Sequence, residues 1–257
     1  MSAHSMNTLS QWTRSVAAAA LFGLLWLTPA NASVIVNYDL STRSNSSPPP
    51  TQAVNSVNSL FTASDLSLGS SLTVHGHPGG FGTVGYSASF DPQAYYSFTI
   101  TPTAGVVYSL TQLNFAQNAH EAGPNNGPKQ FELRTNLLDN FVTTVGSFTT
   151  TRTGVPVDQT ILFGAAYTNL TLSTPLEIRL FGYDASGPLE EFHLHDNSVS
   201  GFFQLEGTAT VPEPASALLL ALGTAGAGVM SWRRRRLATS ESFAGIESGA
   251  GPQMSSL

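Results

Sequence analysis

The chain of 257 residues contains no cysteine. No disulfide can staple it and no thiolate can act as nucleophile or metal ligand, so its fold must rest on burial. Charge is also scarce, at 10% of residues against roughly a quarter in ordinary globular domains. Helical hydrophobic periodicity is missing from residues 33–210. What charge there is divides unevenly. Residues 33–210 carry five bases against thirteen acids, a net of −8, while Arg233, Arg234, Arg235 and Arg236 stand together near the end. An acidic domain repels phosphate backbones, which excludes nucleic acid as a partner.

Two apolar runs bracket the acidic region. Arg14 precedes the run 16–27, and Pro29, Ala30, Asn31 and Ala32 come after it. A basic start, an apolar middle and an Ala-x-Ala end make an export leader cut after Ala32, with Ala30 and Ala32 forming the cleavage site. The second run, 215–232, has no charge and reaches the roughly 17–25 residues that cross a bilayer. Val211, Pro212, Glu213 and Pro214 precede it as a stiff, extended tetrapeptide, because each proline fixes its own φ and restricts its predecessor. The four arginines hold the far end on the cytoplasmic side. The expected organisation is a signal peptide over 1–32, an exported domain over 33–210, a sorting and transmembrane segment over 211–236 and a polar tail over 237–257.

Pro212, Glu213 and Pro214, an apolar helix over 217–230 and the arginine cluster stand in an order that resembles the PEP-CTERM sorting signal of exported bacterial proteins. The resemblance implies an exosortase, a membrane-embedded cysteine peptidase, as partner. It also implies export through the inner membrane, transient anchoring there, and then delivery to the cell surface or release. The tail 237–257 departs from the pattern, whose members end just after the basic cluster.

Between these signals the period is two. In 94–100, Tyr96, Phe98 and Ile100 fall on one face; in 176–183, Leu176, Ile178 and Leu180 point inward while Glu177 and Arg179 point out. In 106–116, Tyr108 and Leu110 are succeeded by Leu113 and Phe115, a change of parity that predicts a bulge near Gln112. Further strands are expected over 34–40, 72–75, 82–90, 130–135, 140–145, 159–163, 192–195 and 199–205. Residues 41–58, centred on Pro48, Pro49 and Pro50, read as a long surface loop. The fold class is all-β: an antiparallel two-sheet sandwich, jelly-roll-like, flanked by an N-terminal signal helix and a C-terminal transmembrane helix. Residues 96–105 and 110–115, continued by Gly127-Pro128, 179–183 and Asp196-Asn197, also resemble a strand pattern of exported PEP-CTERM proteins. Those are similar in architecture to carbohydrate-binding-module sandwiches, and the resemblance implies fold without activity.

Signs of catalysis are thin. No Gly-x-Ser-x-Gly elbow occurs and no acid/base pair stands at a fixed spacing, so the protein is not expected to be an enzyme. The densest polar stretch is 190–196. On a strand, Glu191, His193 and His195 share one face, and His75 and His77 repeat the same spacing. Two such pairs on facing strands offer imidazoles to a divalent metal, which makes His193, His195 and Asp196 candidate ligands. Against this stands a solvated strand face that merely carries histidines. Asp196 with nearby carbonyls alternatively suits calcium, which takes only oxygen ligands; beyond that ion no cofactor is expected. Tyr86, Tyr95, Tyr96, Tyr108, Tyr167 and Tyr183 offer either a sugar-stacking platform or core packing. The expected role is a structural or adhesive component of an extracellular polysaccharide matrix or biofilm surface. The alternatives are a carbohydrate-binding module with structural calcium and, third, a secreted hydrolase.

Overall fold

The alternation becomes two antiparallel sheets in the computed structural model, which describes residues 32–43, 48–119, 127–150, 155–187 and 189–212. The first sheet contains β1 (Ser33–Tyr38), β2 (Ser56–Val57), β5 (Thr73–His75), β6 (Gly80–Val84), β8 (Val107–Ala119), β11 (Val157–Leu162), β13 (Phe192–His195) and β14 (Phe203–Thr210). The second contains β3 (Phe61–Ala63), β4 (Ser67–Leu68), β7 (Tyr95–Pro102), β9 (Gln130–Thr135), β10 (Thr144–Thr149) and β12 (Leu176–Tyr183). One sheet curves into a half-barrel.

The registers of the first sheet reduce it to a few long rows. On one edge of β8, β11 pairs with residues 112–117. The opposite edge is shared by β14, against residues 107–114, and β13, against residues 116–119. So β13 and β14 lie end to end, and the chain leaves the sheet between them only over residues 196–202. The next row repeats the arrangement, with β1 beside β14 and β6 beside β13.

Aromatic rings fill the core. Phe131 packs 4.1 Å from Phe192 and stacks on Phe148 at 5.1 Å, while Tyr38, Phe98 and Phe203 meet edge-on. Full burial of each such ring contributes about 1.5–3 kcal/mol, which is how a domain without disulfides holds together. The expected inward sets, Tyr96/Phe98/Ile100 and Leu176/Ile178/Leu180, are all buried. The bulge falls on Thr111, one residue from Gln112, because Glu206 pairs with Gln112 and Gly207 with Leu110.

Several expectations needed correction. The strand expected over 82–90 stops at Val84, where Gly85 takes a φ of 106° that an extended ladder cannot continue. Residues 140–145 open with Asn140 and Phe141 at φ 55° and 70°, a left-handed turn, so pairing begins at Thr144. Val199, expected at a strand start, lies in the excursion and is 91% exposed. Short β2, β3 and β4 were not anticipated, since two or three residues carry no readable period, and β2 falls inside the expected loop 41–58, where it pairs with β1. In the expected loop 41–58, the buried Arg43 donates to the carbonyls of Pro49 and Thr51 and lies 3.8 Å from the centre of the Phe81 ring. Among the described residues no helix is long and apolar enough to cross a membrane. The expected export leader before Ala32 and the segment from Glu213 onward, with the arginine cluster, lie outside the described residues.

Candidate functional site

Strand β13 points Phe192 and Leu194 at the core and His193 and His195 away from it. Directly paired residues of an antiparallel ladder share a face. The registers therefore set His75 of β5, Gly82 of β6, His193 of β13 and Asn118 of β8 in one row across four strands. Gly80, His195 and Ala116 form the next row. The glycines make the room. A Cβ on Gly82 would stand 2.9 Å from His193 Cδ2, and one on Gly80 would stand 2.8 Å from His195 Cε1. His77, in the turn between β5 and β6, brings its ring 3.8 Å from that of His193 and 5.1 Å from that of His195.

Hydrogen bonding sets the state of His195. Its Nδ1 lies 2.8 Å from the Gly79 carbonyl, which can only accept, so Nδ1 carries the proton and Nε2 the lone pair. Burial pushes the His195 pKa below the ordinary imidazole value, against the opposing pull of that carbonyl. His195 is 7% exposed, and its Nε2 has no hydrogen-bond partner among the described residues. The same holds for the buried Asn118 Oδ1 in the adjoining row. Glu191 spans two histidines, with Oε1 3.3 Å from His75 Nδ1 and Oε2 3.4 Å from His193 Nε2. Two overlapping groups result, His77/His193/His195 and His75/Glu191/His193, each with its donor atoms within 4.8 Å of one another.

The two histidine pairs converge, and the face is closed to solvent at His193 and His195, which are 0% and 7% exposed, while His75 at its edge is exposed. Asp196 turns elsewhere. Its Oδ1 accepts from the Leu40 and Phe203 N–H groups at 2.9 and 3.2 Å, and its Oδ2 from the Ser41 N–H at 2.9 Å. Burial raises its pKa, and those hydrogen bonds oppose the rise. The carboxylate pins β1 to the point where the chain leaves β13; it is not part of the histidine cluster. With both oxygens facing N–H donors, it also offers poor geometry for calcium.

A second polar surface lies on the outer face of the other sheet. Of the six candidate tyrosines, Tyr86, Tyr96, Tyr108 and Tyr167 are buried in the core, leaving Tyr95 and Tyr183 partly exposed. A groove of about 420 Å³ runs there, lined by Phe90, Arg134, Phe141, Arg179 and Phe181 among others. The Arg179 guanidinium stands 3.8 Å over Phe141 and 4.3 Å over Tyr95, and that of Arg134 stands 4.3 Å over Phe90. Phe141 holds φ 70°, a conformation that costs a bulky residue about 1–3 kcal/mol. Glu132 accepts from Arg134, Thr144 and Tyr183 at 2.5–2.9 Å. Burial raises its pKa, but these hydrogen bonds and the Arg134 charge outweigh burial and hold it below the ordinary value. A carboxylate kept ionised is a poor proton donor.

Comparison with known families identifies the segment beyond β14. The model of the PEP-CTERM protein-sorting motif matches residues 210–236. The chain carries a PEP-CTERM sorting signal. That motif marks an exported protein of the exosortase-substrate kind, and it begins at Thr210, the last residue of β14. No curated protein matches the chain. Among solved structures it is similar to a CBM4 module, with 10% identity and a TM-score of 0.35 over 66% of this chain and 94% of that one. It is also similar to the Stig cyclase Fisc from Fischerella sp. TAU in complex with a pyrrolidinylidene indole, with 14% identity and a TM-score of 0.28 over 73% of this chain and 93% of that one. At those TM-scores neither likeness bears on ligand or activity.

Some of what builds the histidine cluster escaped sequence reasoning. Asn118 had no local signal, and Gly80 and Gly82 had a faint one. The one hint was the run of glycines at 79, 80 and 82, directly after the His75/His77 pair, where bare backbone beside histidines invites a close approach.

Proposed function

We propose that this chain is a non-catalytic, exported β-sandwich of jelly-roll type that exosortase sorts to the cell surface, where it serves as a structural or adhesive component of the extracellular polysaccharide matrix. The observation that supports this reading is the continuity at Thr210, where the last strand of the domain runs into the sorting motif. A cargo joined to its sorting signal with no linker is released with its whole fold on the outer side. The domain's acidity and its stock of uncharged polar residues fit a hydrated matrix. The test is mass spectrometry of both ends of the mature protein, in cells with and without the sorting peptidase. The segment after Pro214 should be lost only when the peptidase is present, and Glu213→Ala should leave the full-length form in the inner membrane. Equal processing in both strains would end the proposal.

The groove favours a second reading, a carbohydrate-binding role. Arginines and aromatic rings lie together along it, a surface on which a pyranose can pack while the Arg179 guanidinium donates to its hydroxyls; Arg134 is committed to Glu132 and the Phe141 carbonyl. A glycan array with the mature protein separates the readings. Binding that is lost in Arg179→Ala supports the second, and a blank array leaves the structural role.

A further inference from the structure

We propose that His77, His193 and His195 form a binding site for one late first-row divalent transition ion, such as zinc. The inference does not depend on the sorting route or on the groove. Three imidazoles are soft enough to select such an ion and to disfavour calcium or magnesium, which prefer oxygen. The donor atoms lie within 4.8 Å of one another, and zinc at its usual bond length would draw them to about 3.3 Å. That is a small contraction. The ring of His77 sits in a turn rather than a strand, so it can close the distance without breaking a ladder.

Two features distinguish this group from a chance meeting of side chains. The first is His195. Its Nδ1–H is committed to the Gly79 carbonyl, which leaves a lone pair on a buried Nε2 that no described residue meets. Metal-binding histidines are typically oriented in this way by a carbonyl behind the ring. The second is the pair of glycines. Gly80 and Gly82 stand opposite His195 and His193, and any side chain there would displace the rings. Glu191, 3.4 Å from His193 Nε2, plays for His193 the orienting part that Gly79 plays for His195. His75 belongs to that outer pair and is no ligand in this assignment.

The site is tested on the full chain purified in detergent and stripped with chelator. Zinc titration against a chromophoric competitor should give one equivalent bound at micromolar affinity or tighter, and cobalt(II) should give the visible bands of an ion held by nitrogen donors. His77→Ala is the main variant, because His77 is half-buried, lies in a turn, and its loss spares the sheet. It should weaken zinc binding at least tenfold with an unchanged far-UV spectrum, and His195→Asn should do the same. His75→Ala should change binding less than threefold. The proposal is overturned if folded wild-type protein takes up no stoichiometric zinc or cobalt. It is equally overturned if His77→Ala binds as wild type while His75→Ala or Glu191→Gln does not, since the ion would then belong to the outer group.

Discussion

Strands β9 and β13 obey the same rule on their inner sides and opposite ones on their outer sides. Both send alternate apolar residues into the shared core: Phe131 and Leu133 from β9, Phe192 and Leu194 from β13. On the outer side, Glu132 and Arg134 of β9 are partly exposed and paired with each other. His193 and His195 of β13 are buried. A polar side chain that keeps some water needs only a neighbour, whereas one that is buried must find a partner or pay in desolvation. A fold that stands on burial alone can keep a buried lone pair such as that of His195 Nε2 only where something offsets its cost. That is why the outer side of β13 keeps a buried polar atom still to be satisfied, while Glu132 and Arg134 on the outer side of β9 already satisfy each other.

The comparison can be broken most forcefully from the inner side. Phe131→Ala and Phe192→Ala should each cost about 3–5 kcal/mol by urea denaturation. The double variant should cost less than their sum, because the rings are in contact at 4.1 Å. A cost under about 1 kcal/mol at either position would mean that the sheets do not share this core. Gly82→Ala should cost about 1–3 kcal/mol through overpacking, since the new methyl meets the His75 carbonyl at 2.6 Å and His193 Cδ2 at 2.9 Å. The imidazole resonances of His193 should shift with it; unchanged resonances and stability would show that the outer row of β13 is not crowded.

The smallest effect, on the outer side of β9, depends on pH. The folded-state pKa of Glu132 lies below the ordinary value of 4.5. Its ionised form therefore adds stability above that value, and the gain fades as pH falls toward the folded-state pKa. Glu132→Gln should cost under about 1 kcal/mol at neutral pH and progressively less as pH drops below about 4. A variant whose deficit grows on acidification would contradict the pairing with Arg134, Thr144 and Tyr183.

Where the alternation runs for seven residues or more, as in β7 and β12, it named the inward side chains correctly, because a period of two arises from strand geometry whatever the neighbours. The parity change around Gln112 was legible for the same reason and was one residue off, at Thr111. The failures share a cause. Phe141 reads as a strand residue by propensity, yet its neighbours hold it in a left-handed turn with its ring under Arg179. Tyr86, Tyr96, Tyr108 and Tyr167 read equally well as platform or core, and packing sent them inward. Asp196 comes directly after His195 in sequence and yet serves the backbone of residues 40, 41 and 203.

The sequence by itself determined the all-β character, the inner faces of the long strands, the acidic balance and the sorting signal, since each of these is local: a period, a composition or a contiguous motif. The tertiary structure alone decided that β13 and β14 share one edge of β8, that His77 meets His193 and His195, and that Gly80 and Gly82 open the space between them. Those facts depend on hydrogen-bond register between segments more than a hundred residues apart in the case of β6 and β13. A period of two says which side of a strand a residue takes and nothing about which residue stands opposite.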